Sequence, residues 1–166
     1  MKMIGCILLI TSTTVIGFYL SLLLQRRMML FDNLVLFITN VSTSIRYNSN
    51  DIYSILLKEY PYTKIPFLDT VLAKLEQGNS VDKSWCNGVD ALPFSYGLRK
   101  KDKAVIKQFG SKLGTTDVDG QISHCEYFKN LYLSLAQQFK DEYTKCSKVY
   151  RSLGFFSGLA FSLVIY

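Results

Sequence analysis

Met3–Leu24 is a run of 22 residues without a charge. As a helix it is about 33 Å long, enough to cross a hydrocarbon core of about 30 Å. A cleaved signal sequence is the rival reading. Its apolar region is about 7–15 residues and closes on a small-x-small site, whereas this run ends in Leu22-Leu23-Leu24-Gln25-Arg26-Arg27. Lipoprotein cleavage at Cys6 lacks a preceding apolar region. Leu153–Tyr166 is also uncharged, but as a helix it is only about 21 Å long. Adding Val149 and Tyr150, with Arg151 snorkelling to the headgroups, extends it to about 27 Å, which local thinning accommodates. The expectation is a C-terminal membrane anchor, against a buried core helix or a half-inserted segment.

These ends explain the composition. Apolar residues make up 49% of the 166-residue chain and charged residues 19%, below the roughly 25% of a soluble domain. Residues 25–152 hold 18 Lys/Arg against 13 Asp/Glu. A plain soluble globule, a disordered chain and a collagen-like repeat are excluded. Four Cys and no CxxC argue against a disulfide scaffold, so a reduced, cytosol-facing domain is the simplest reading. Basic residues flank the central side of both apolar runs: Arg26 and Arg27 after the first, Lys140, Lys145, Lys148 and Arg151 before the second. The positive-inside rule places residues 25–152 in the cytoplasm and both termini across the membrane. The expected organisation is an N-terminal transmembrane helix over 1–24, a cytoplasmic helical domain over 25–152 and a membrane anchor over 153–166.

Both runs carry small residues at four-residue spacing: Thr13, Gly17 and Ser21 in the first, Gly154, Gly158 and Ser162 in the second. Such stripes let helix backbones approach closely in lipid. They face each other or a partner's helix, or reflect only the commonness of Gly and Ser in membrane helices.

The middle reads as helix throughout. Leu30, Leu34, Phe37, Val41 and Ile45 form one apolar stripe, on a helix continuing from the first span. Asn48-Ser49-Asn50-Asp51 ends it and caps the next. Ile52–Tyr60 is a short amphipathic helix stopped by Pro61. Pro66–Gln77 follows, with Gly78-Asn79 as its C-cap. Ser80 caps a helix carrying Val81, Trp85 and Leu92. Pro93–Gly97 is the most loop-like stretch, and Lys101–Leu113 is helical up to Gly114. The last helix runs from Thr116 or Asp117 to the terminus, with the stripe Ile122, Cys125, Phe128, Tyr132, Leu135, Phe139, Tyr143, Cys146, Tyr150, Leu153. Its spacing of about 3.5 resembles a coiled-coil seam. No period-2 alternation of useful length predicts a sheet. The expected fold is all-α: an antiparallel helical bundle of about five to six helices flanked by membrane helices, the last continuous with its anchor.

Catalytic chemistry has little to work with. No G-x-x-x-x-G-K-[ST] loop occurs. His124 is the only His, and it adjoins Cys125 in a helix, where neighbours point about 100° apart. A partly packed or solvated His is the simpler reading. No catalytic, cofactor-binding or metal-ligating set is expected, and no small-molecule substrate. The basic cluster Arg99, Lys100, Lys101, Lys103 and Lys107 lacks a stacking aromatic set for nucleic acid. A solvated helix start or attraction to anionic lipid explains it more simply.

Several stretches together resemble one family. They are Ile4-Gly5 and Ile16-Gly17, the run Phe109-Gly110-Ser111-Lys112-Leu113-Gly114-Thr115-Thr116-Asp117 with Gln121, and Val149-Tyr150-Arg151-Ser152-Leu153-Gly154-Phe155-Phe156-Ser157-Gly158-Leu159. The chain resembles stage III sporulation protein AB of endospore-forming bacteria along essentially its whole length, although residues 84–98 carry none of the likeness. The resemblance implies a role in the channel between mother cell and forespore. It also implies similarity to the cytoplasmic domain of the inner-membrane platform of type II secretion and type IV pilus machines. The implied partners are the stage III sporulation ATPase (AA), other membrane subunits of the same operon and the lipid bilayer. The motif residues take structural roles: Gly114 as a left-handed C-cap, Gly110 allowing close helix contact, Asp117 as a cap with Gln121 one turn on, and Arg151 at the headgroups. The rivals are a membrane-tethered adaptor or signalling module without an ATPase partner, and a membrane enzyme using His124 or Cys125.

Overall fold

A computed structural model describes residues 2–47 and 51–165. The expected break at 48–50 lies outside the described residues. Six α-helices follow in order: α1 (Lys2–Tyr47), α2 (Ile52–Glu59), α3 (Leu68–Glu76), α4 (Val81–Asp90), α5 (Lys100–Ser111) and α6 (Val118–Ile165). Short 3-10 turns occupy Tyr60–Tyr62 and Phe94–Tyr96. No strand occurs among the described residues. The chain divides into two compact units, one of Met1–Met28 with Gln137–Tyr166, the other of Met29–Ala136.

In the larger unit, Leu30, Phe31, Leu34, Phe37, Ile38, Val41 and Ile45 of α1 are all buried. Steps of three and four keep them on one face. From α6 come Cys125, Phe128, Tyr132 and Ala136; from α3, Leu68, Val71 and Leu72; from α5, Ile106 and Phe109. Trp85 of α4 sits in this core, fully buried. Its indole N–H donates to the Ile106 carbonyl at 2.8 Å. Its ring packs against Phe37, Phe67 and Phe109, with centroids 5.1–5.9 Å away. A buried carboxyl also belongs to this unit: Glu59 accepts a hydrogen bond from Ser44 Oγ at 3.2 Å, and both residues are buried.

Turn chemistry sets the helix ends, some of them away from the sequence expectations. Gly78 has φ +82°. Its N–H donates to Leu75, and that of Asn79 to Lys74, which satisfies two of the last carbonyls of α3 in a Schellman arrangement. α3 begins at Leu68 rather than Pro66, because the Leu68 N–H first closes a tight turn onto Ile65. Ser80 flanks α4, but its hydroxyl makes no capping bond, and neither does the Asp51 carboxylate before α2. α4 stops at Asp90, short of Leu92. Pro93 pushes Leu92 away from helical geometry, and the Lys103 ammonium takes the free carbonyls of Asp90 and Leu92 at 3.3 and 3.0 Å. Lys107 pairs with the Asp90 carboxylate at 2.7 Å. Two members of the basic cluster are therefore positive charges held at a helix C-terminus, where the macrodipole favours them.

In the smaller unit the first part of α1 runs antiparallel to the last part of α6: Ile10 lies beside Gly158, Gly17 beside Gly154 and Ser21 beside Arg151. The exterior is apolar. Ile7, Leu8, Val15, Ile16 and Phe18 are 49–65% exposed on α1; Leu153, Phe155, Phe156, Phe161 and Leu163 are 45–76% exposed on α6. Within α1, the helix from Gly5 to Tyr47 is long and apolar enough to cross a membrane.

Candidate functional site

The α5–α6 turn of the larger unit gathers Phe109, Gly110, Leu113, Gly114, Asp117 and Gln121. Phe109 and Leu113 are buried. Gly110 lies directly on Trp85: a Cβ there falls 2.7 Å from the Trp85 Cβ and closer still to Cγ and Cδ1. Gly114 has φ +79°, the left-handed region that a side chain disfavours, and a Cβ there meets Ile52 Cγ1 at 2.9 Å. Gln121 is buried and ties the turn together. Its Oε1 accepts the Gly114 N–H at 2.9 Å, while its Nε2 donates to the Lys112 carbonyl at 3.0 Å and to Thr116 Oγ1 at 2.8 Å. Asp117 Oδ1 accepts the Gly120 N–H at 3.2 Å, as an N-cap carboxylate does three residues on.

His124 and Cys125 are not arranged for catalysis. A carbonyl only accepts, so the 2.8 Å contact to the Phe109 oxygen makes His124 Nε2 the donor. The imidazole stacks on Phe109, centroids 5.4 Å apart and planes 9° off parallel. Cys125 is buried, and that burial pushes its thiol up to about 12. At neutral pH it is a protonated thiol, inert as a nucleophile. Among the described residues no three His, Cys, Asp or Glu lie together to hold a metal ion.

The smaller unit brings the two small-residue stripes face to face. A Cβ on Gly17 falls 3.2 Å from the Gly154 Cα, and one on Gly154 falls 3.1 Å from the Gly17 Cα. A Cβ on Gly158 overlaps Thr13 Oγ1 and lies 2.8 Å from the Ile10 Cα. Thr13 donates its hydroxyl to the carbonyls of Leu9 and Ile10 at 3.1 Å, which satisfies that hydroxyl within its own helix. Ser21 is buried and accepts from Arg151 Nε at 3.1 Å. Cys6 Sγ lies 3.9 Å from the Ser162 carbonyl oxygen. Ser152 and Leu153 point outward, Leu153 being 59% exposed. The buried line of α6 instead passes through Ser147, Gly154 and Gly158, a step of about 3.7 residues.

Two features escape a reading of apolar periodicity. Arg27 is buried, with its guanidinium 3.7 Å above the Phe139 ring centroid and Nη1 3.0 Å from Glu142 Oε2. It cross-links α1 to α6 through charge and cation–π attraction. A carboxylate one turn beyond an aromatic on the facing helix, Phe139 with Glu142, is the sequence signal that marks it in retrospect. Asp102 is buried and accepts the Arg99 N–H at 2.7 Å, which closes the first turn of α5. Trp85, which the apolar pattern of α4 does include, organises the core from the stretch 84–98.

The model for the family "Stage III sporulation protein AB (spore_III_AB)" matches residues 2–166. Stage III sporulation protein AB of Bacillus subtilis (strain 168) is 21% identical over 169 residues, covering 99% of each chain. No solved structure matches the chain.

Proposed function

The chain belongs to the stage III sporulation protein AB family, and on that premise we propose that it is a non-enzymatic platform component of the channel complex between mother cell and forespore. Residues 1–24 and 153–166 hold it in the mother-cell membrane. Residues 25–152 form a cytoplasmic antiparallel helical bundle, with the last helix continuous into the C-terminal anchor. The bundle meets the stage III sporulation ATPase (AA) and neighbouring membrane subunits, and nucleotide chemistry resides in that partner.

One observation carries this reading: two helix segments meet closely at Gly17 and Gly154 and, among the described residues, turn a face dominated by large apolar side chains outward. Water penalises such an exterior and lipid does not, while close backbone approach supplies the packing that drives helices together in a bilayer. Arg151, bonded to Ser21, marks the boundary where that exterior gives way to Arg26, Lys140, Lys145 and Lys148. A basic collar at this position suits the cytoplasmic face of the membrane.

Photo-crosslinking in sporulating cells tests the proposal. With p-benzoylphenylalanine replacing exposed Tyr62 or Tyr127 in the full chain, adducts with the ATPase or with membrane subunits of its operon are expected. Adducts confined to proteins outside that assembly refute the platform role.

A further inference from the structure

Within residues 29–136, Phe31, Phe37, Phe67, Phe109 and Phe128 are buried, and Phe94 alone is exposed, at 77%. It stands on the turn between α4 and α5, and that turn is ordered. The Tyr96 N–H donates to the Pro93 carbonyl at 3.2 Å and the Gly97 N–H to that of Phe94 at 2.9 Å. Gly97 takes φ +64°. A ring held out on an ordered turn loses little further freedom when something closes over it.

The next residues break a second rule. Arg99, Lys100 and Lys101 stand at the N-terminal end of α5, and all three are exposed. The positive end of the helix macrodipole disfavours cations there. The only acidic group in that first turn is Asp102, buried and bonded to the Arg99 N–H. Lys103 and Lys107 have structural work at the end of α4. Lys100 and Lys101 do not: among the described residues no carboxylate pairs with either. An exposed aromatic at Phe94 and two cations without a carboxylate partner at Lys100 and Lys101 are local losses of stability at one place, as expected where a surface is kept for binding.

We propose that Phe94 with Arg99, Lys100 and Lys101 is a docking surface for a protein partner, whose matching face is an apolar pocket rimmed by carboxylates. The inference rests on the platform reading and names the surface that reading leaves open. Charge complementarity fixes the rim: the exposed Lys100 and Lys101 require acidic groups opposite, which also speed and orient the encounter. A protein occupant fits better than a lipid surface. On the platform reading the chain already has its anchors, so a single interfacial ring adds little hold. A protein pocket surrounds the whole ring and excludes water from it, which makes an aromatic anchor at the centre of an interface effective.

The test places p-benzoylphenylalanine at Phe94 of the full chain in sporulating cells, with a parallel probe at Tyr127, and identifies crosslinked peptides by mass spectrometry. The expected product at position 94 is one protein segment with apolar and acidic residues together. Combining Lys100→Glu with Lys101→Glu should cut its yield about tenfold or more. The same pair of substitutions should raise the unfolding midpoint of the purified chain, because acidic groups suit a helix N-terminus. Lost capture together with gained stability cannot come from misfolding. Lipid adducts alone at position 94, a captured segment without acidic residues, or a yield indifferent to the charge reversal each overturn the docking surface. If Tyr127 captures the assembly while Phe94 captures nothing, the docking surface fails and the platform reading stands. If neither probe captures a protein of the assembly, both fall.

Discussion

Gly110→Ala weighs two opposing effects at one methyl group. Alanine in a helix interior is favoured over glycine by about 1 kcal/mol. Against that gain, the added Cβ lies 2.7 Å from the Trp85 Cβ, where carbon atoms settle at about 3.5–4.0 Å. The indole has nowhere to retreat. It is fully buried, tied to the Ile106 carbonyl and enclosed by Phe37, Phe67 and Phe109. Overpacking of this kind costs about 1–3 kcal/mol and sometimes more, and a displaced indole hydrogen bond adds about 1 kcal/mol. The cost wins, and the expected net loss is about 1–3 kcal/mol. Urea unfolding of the detergent-solubilised full chain, followed by far-UV circular dichroism, reads it as a lower midpoint. The cause is isolated in a Trp85→Ala background, which removes the Cγ and Cδ1 atoms nearest the added methyl group and leaves only the Cβ contact. There the same substitution should cost clearly less than in the parent chain. Additive effects of the two substitutions, or a Gly110→Ala chain as stable as the parent, refute the packing of α5 on Trp85.

Gln121→Leu removes two backbone partners, the Gly114 N–H and the Lys112 carbonyl, and should cost about 1–3 kcal/mol in the same assay; an unchanged midpoint contradicts the turn geometry. Asp117→Ala should cost about 0.5–2 kcal/mol, with faster hydrogen exchange at the Gly120 amide. In membranes, oxidation should join Cys6 to an S162C thiol when Cys86 and Cys146 are changed to Ser, since Cys6 Sγ lies 3.9 Å from the Ser162 carbonyl. Gly158→Leu should abolish that crosslink by forcing the helices apart at Ile10 and Thr13. Burial raises the Cys125 thiol from 9.0 to about 12. The folded state therefore holds that proton more tightly, and the stability from this group is intact below about pH 9 and lost progressively as pH rises toward 12. Native-state alkylation at pH 8 should modify Cys86 and Cys146, which are half-buried, and leave Cys125 untouched until the chain unfolds.

What the sequence made legible follows from contrast between neighbouring side chains. Val41 and Ile45 stand out from polar neighbours, Leu30, Leu34 and Phe37 continue their spacing of three and four, and all five are buried. Gly78, placed after an apolar run, takes the positive φ that ends a helix, whereas Gly114 takes its positive φ two residues beyond the Lys112 C-cap of α5 and gives its N–H to Gln121 instead of to a helix carbonyl. The contact line of α6 was less visible because it passes through Ala136, Ser147, Gly154 and Gly158. Small side chains mark close backbone approach and carry almost no hydrophobic signal. Choosing the large residues instead gave a step of about 3.5 that drifted off the buried face by Leu153, which is 59% exposed. Arg27 reads as a flanking surface cation in sequence. Its burial depends on Phe139 and Glu142, more than a hundred residues away. Lys103 and Lys107 likewise read as a charge cluster until α4 and α5 are side by side and the carbonyls at the end of α4 become their partners.

The platform reading stands or falls on which side of the membrane the larger unit lies. Protoplasts expressing the full chain, with a cysteine appended after Tyr166 and Cys6 replaced by Ser, can be treated with a membrane-impermeant maleimide before and after permeabilisation. The appended cysteine should react at once. Cys86, in the α4 segment of the larger unit and half-buried, should react only after the membrane is opened. Labelling of Cys86 in intact protoplasts, or protection of the appended cysteine, contradicts a helix pair that crosses the bilayer and holds the larger unit in the cytoplasm.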